Sequence, residues 1–65
     1  MYKISIIGAS DSKDTYEDVK TYRMFLSEET NCRVLIINFS DGSSILIYLG
    51  INDRVEIHKE GQLWM

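Results

Sequence analysis

The chain has 65 residues, 45% hydrophobic and 26% charged, the balance of one small folded domain, residues 1–65, rather than a disordered tail. Its net charge of −3 comes without a cationic stripe, which argues against ordinary phosphate-backbone binding. Cys32 is the only cysteine, which excludes an intramolecular disulfide and a cysteine-built zinc site and favours a reducing compartment.

Tyr2 to Ile7 reads as a strand ended by Gly8. The segment turns polar too soon for a signal peptide. No apolar run approaches the roughly 20 residues that cross a bilayer as a helix. A cytoplasmic protein is therefore expected.

The loop Gly8-Ala9-Ser10-Asp11-Ser12-Lys13-Asp14-Thr15 has the strand-to-helix context of a phosphate cradle. It fails the spacing G-x-x-x-x-G-K-[ST], because Lys13 and Asp14 stand where that motif has glycine and lysine. Two aspartates also repel phosphate. A polar turn is the simpler reading.

Residues 14–27 carry two competing patterns. As a helix, Asp14 caps the N-terminus with Glu17 three residues on, and Tyr16, Val19, Tyr22 and Leu26 form an apolar stripe. As a strand, Tyr22, Met24 and Leu26 alternate with Thr21, Arg23 and Phe25. The helix is the expectation, although Glu28 and Glu29 near its C-terminus oppose the helix dipole.

The same region concentrates the charge. Residues 10–31 hold Asp11, Asp14, Glu17, Asp18, Glu28 and Glu29 against Lys13, Lys20 and Arg23. Calcium ligation would need a spacing such as D-x-[DN]-x-[DN]-G, which is missing. An acidic face that meets a basic protein partner fits these residues better.

The second half gives the clearest pattern. Arg33 to Phe39 and Ser44 to Leu49 are β-branched runs around Ser40-Asp41-Gly42-Ser43. Asp-Gly between such runs predicts a type I′ hairpin. Centred on Asp41-Gly42, it pairs Ile37 with Leu46, Ile36 with Ile47 and Leu35 with Tyr48. Arg54 to His58 alternates, with Val55 and Ile57 on one face. Glu60-Gly61 turns the chain, and Gln62 to Met65 returns with Trp64 opposite Ile57. The short link Gly50-Ile51-Asn52-Asp53 sets the two hairpins side by side.

Val34 to Ile37 and Ile45 to Leu49 are apolar on both faces, whereas a half-exposed strand alternates. One helix covers one face. A closed barrel, a second protomer or a partner protein must cover the other. Ile36, Ile47, Tyr48 and Trp64 are the candidate contacts on this sheet, because Tyr and Trp anchor interfaces. For Trp64, packing on Val55 and Ile57 competes with that role.

Catalysis finds little footing. Cys32 and His58 are the one nucleophile–base pair available, and the predicted registers keep them apart. One His and one Cys are too few for a transition-metal site. No cofactor is implied. The aromatic residues invite single-stranded nucleic acid, but stacking platforms need cationic grooves.

The expected fold is therefore α+β: an N-terminal strand, one helix and a four-stranded antiparallel meander, with a small all-β barrel containing a strand at 19–26 as the alternative. The expected function is that of a non-enzymatic protein-interaction module, a homodimer or an inhibitor of a larger protein. The alternative is a single-stranded nucleic-acid-binding domain.

Overall fold

A computed structural model describes residues 1–59. They form five strands: β1 (Tyr2–Ile7), β2 (Lys13–Ser27), β3 (Cys32–Phe39), β4 (Ser44–Leu49) and β5 (Arg54–Lys59). All neighbours are antiparallel, in the order β4-β3-β2-β1-β5. The expected α+β class is wrong. Residues 14–27 lie in a strand of 15 residues.

The reason is backbone demand. β2 pairs with β1 through Lys13–Val19 and with β3 through Val19–Ser27. A helix there would shield one face but leave β1 and β3 each with one edge unpaired. Thr15, Tyr16, Val19, Thr21, Tyr22 and Phe25 also suit a pleated surface.

The meander is corrected too. β5 does not adjoin β4. It pairs with β1, from Ile7 opposite Arg54 to Tyr2 opposite Lys59. The expected return strand Gln62–Met65, with Trp64, lies outside the described residues.

The link Gly50–Asp53 thus joins opposite edges of the sheet. Its Asp53 N–H donates to the Gly50 carbonyl at 3.2 Å, which closes a turn with its ends within about 7 Å. Leu49 and Arg54 are then at most about 15 Å apart, two further Cα steps included. In a flat sheet they would lie beside opposite ends of β2, about 43 Å apart along it. β2 must therefore coil.

Two bulges supply the bend. Asp18 takes a left-handed φ of 58° between the pairs Ile4–Tyr16 and Tyr2–Val19, and the β2–β3 register shifts between Val19 and Thr21. The two halves of the sheet fold toward each other around Ile4, Ile6, Val19, Leu35, Ile37 and Leu49. Ile4, Val19, Leu35 and Ile37 have no exposed surface. Tyr2 meets Tyr22 edge-on at 5.1 Å across the same concave face.

The β3–β4 register differs by one residue from the type I′ expectation. Ile37 faces Ile45, Ile36 faces Leu46, Leu35 faces Ile47 and Val34 faces Tyr48. The turn holds three residues, Ser40, Asp41 and Gly42. Phe39 N–H donates to Ser43 C=O at 2.8 Å, Gly42 N–H donates to Phe39 C=O at 3.1 Å, and Gly42 has φ 93°. This is the three-residue loop that ends in a left-handed glycine. A one-residue slip exchanges faces, so it decides which apolar side chains enter the core.

Candidate protein-interaction surface

Residues opposite one another on antiparallel neighbours share a face. Leu35, Ile37, Ile45, Ile47 and Leu49 therefore point into the concave core. Phe25, Val34 and Tyr48 form one row across the convex face, and Arg23, Ile36 and Leu46 form the next.

On that convex face Phe25 is 41% exposed, Leu46 51% and Tyr48 63%. Val34 is buried between Phe25 and Tyr48. The Arg23 guanidinium carbon sits 5.7 Å from the centre of the Phe25 ring, a cation–π contact at the rim. A polar row closes the patch toward the turn. Asn38 Nδ2 donates to Thr21 Oγ1 at 3.0 Å, and Ser44 Oγ donates to Asn38 Oδ1 at 2.6 Å. The result is an apolar centre with a satisfied polar margin, the anatomy of an interface.

The sequence-selected sheet residues divide between faces. Ile36 and Tyr48 belong to the convex patch, whereas Ile47 packs against the core. Phe25, Val34 and Leu46 were missed. The helix reading removed Phe25 from the sheet, and the slipped register displaced Leu46. Period-2 alternation of β4, counted from a three-residue loop, already separates Leu46 and Tyr48 from Ile45 and Ile47.

The six acidic residues do not form one face. Asp11 occupies the β1–β2 turn with φ 67°, and Asp14 faces Ile6. Glu17 and Asp18 form the first bulge, where they share a cleft of ≈ 290 Å³ with Phe39, Ser40, Asp41 and Ser43. Glu28 and Glu29 occupy the β2–β3 turn at the far end of β2. Among the described residues, no group of three or more His, Cys, Asp or Glu side chains is placed to hold a metal ion.

Cys32 begins β3 and His58 lies on β5, with β2 and β1 between those strands. They form no dyad. Among the described residues, no helix is long and apolar enough to cross a membrane.

Asp41 has a displaced pKa. Its Oδ1 accepts hydrogen bonds from the Ser43 hydroxyl at 2.6 Å and the Ser43 N–H at 2.9 Å. These hold its carboxyl below the ordinary value. The role is structural, since it braces the β3–β4 turn.

No protein-family model, curated protein or solved structure matches the chain.

Proposed function

We propose that the chain is a small non-enzymatic protein-interaction module that binds through its sheet. The observation that carries this reading is the patch of Phe25, Ile36, Leu46 and Tyr48 around Val34, on the face opposite a filled core. Exposed apolar surface of this kind, rimmed by polar groups, marks contact sites on soluble proteins. Single-stranded nucleic acid fits less well, because Arg23 is the one cation in the patch rows and the chain carries −3.

A photo-crosslinker tests this reading. With p-benzoylphenylalanine at position 48, irradiation of cells producing the full chain is expected to yield one discrete protein adduct. The probe at Glu56, on the convex face of β5, should not yield it. Leu46→Thr should reduce the position-48 adduct at least tenfold while altering stability by less than about 1 kcal/mol, since Leu46 is half exposed. Indistinguishable adducts from positions 48 and 56 would refute the assignment of the patch.

A further inference from the structure

Among the described residues, the part of β2 beyond Val19 has one paired edge. Thr21–Ser27 pair with β3 on one side, and no described strand pairs with them on the other, because β1 ends opposite Val19. Unlike β4, whose concave side chains Ile45, Ile47 and Leu49 are at least half buried, this segment leaves apolar groups exposed on both faces. Tyr22, Met24 and Leu26 are 38%, 43% and 60% exposed toward the concave side, and Phe25 is 41% exposed on the other. The chain contains no proline, so this edge lacks one of the usual guards against strand addition.

We infer that a second copy of this chain adds to this edge, antiparallel, with Met24 opposite Met24 of the other copy. This deepens the interaction-module reading and rests on it. A two-fold axis perpendicular to the sheet keeps the concave faces on one side, so paired residues must share a face. The register about Met24 satisfies this. It sets Tyr22 opposite Leu26, Arg23 opposite Phe25 and Thr21 opposite Ser27, and it brings Lys20 near Glu28 at each end. Apolar meets apolar, cation meets ring, and opposite charges meet at the ends.

The neighbouring registers are worse. Centring on Arg23 opposes two guanidinium groups. Centring on Phe25 sets Tyr22 against Glu28 and leaves Thr21 beyond the partner's strand. Met24 is also the midpoint of Thr21–Ser27, the stretch of β2 that β1 does not reach, so this register fills the edge without colliding with β1. It supplies roughly six to eight new backbone hydrogen bonds, since alternate residues of each strand point outward.

Sedimentation equilibrium and cysteine pairing test the proposal on the full chain. The protein is expected to be a dimer at high micromolar concentration. Met24→Lys places two ammonium groups opposite each other and should weaken the dimer at least tenfold, with an unchanged circular dichroism spectrum. In a Cys32→Ser background, Met24→Cys should give a symmetric disulfide under mild oxidation, because opposed Cα atoms lie about 4.5–5.5 Å apart. Tyr22→Cys alone should not link, but mixed with Leu26→Cys it should. A strict monomer, a dimer indifferent to Met24→Lys, or a monomer in which residues 60–65 protect the β2 edge amides would each overturn the proposal. Such a failure alongside a position-48 adduct to a different protein would sink the β2 dimer and leave the module reading intact.

Discussion

Gly42 is where the backbone permits one residue type. Its φ of 93° lies in the left-handed region, and an added Cβ would meet no atom within 4 Å. The cost of Gly42→Ala is therefore conformational rather than steric, about 1 kcal/mol, readable as a lower urea midpoint with an unchanged slope. The neighbouring Asp41 makes that turn sensitive to acid. Because the folded state lowers its pKa, its stabilising contribution is complete above the unfolded value of about 3.9 and disappears as the pH falls through the depressed folded value. Asp41→Asn keeps an acceptor oxygen but loses the charge. The stability gap between wild type and this variant should be present at pH 6 and close below pH 4. A gap constant to pH 2 would show that ionisation plays no part.

At the scale of the strand, β2 is long because it serves two half-sheets, and it is bent because both halves must close over one core. Asp18 tolerates a φ of 58° that a β-branched residue resists, and its carbonyl accepts the Ser40 N–H at 2.9 Å. Asp18→Gly should be neutral or stabilising by up to about 1 kcal/mol, whereas Asp18→Val should cost about 1–2 kcal/mol. Thermal unfolding of the two variants checks both signs. The bulge also explains why β2 misled. Helical spacing of Tyr16, Val19, Tyr22 and Leu26 arises because two extra residues interrupt the period of 2. The inner-facing set Tyr16, Val19, Tyr22, Met24, Leu26 then imitates a period near 3.6 over its first half. Alternation resumes only after Thr21.

At the scale of the molecule, the shape is held at the link Gly50–Asp53 that connects the two edge strands. Arg33, at the start of β3, donates from Nη2 to the Asp53 carbonyl at 2.7 Å and to that of Gly50 at 3.4 Å. Asp53 Oδ2 accepts the Gly50 N–H at 2.7 Å. Arg33→Ala removes the part-buried tie across the link and should cost about 1–2 kcal/mol, a fall in midpoint temperature of about 4–8 °C per kcal/mol for a domain this small. Faster amide exchange should appear first in β5, the edge strand that the link delivers.

The strands β1, β3, β4 and β5 were legible from their own residues, since β-branched runs and alternation are local properties. So was the conclusion that β3 and β4 are apolar on both sides. Strand order was not legible. Whether the Gly50–Asp53 link returns beside β4 or crosses to β1 depends on the coil of β2, and β2 coils because distant residues such as Leu49 and Ile6 must share one small core. The patch followed the same division. Its composition was in the sequence, but its membership waited on a three-residue turn and on a strand that local preference assigned to a helix. Local chemistry sets what each segment can form, and hydrogen bonding and burial across the whole chain select among those options.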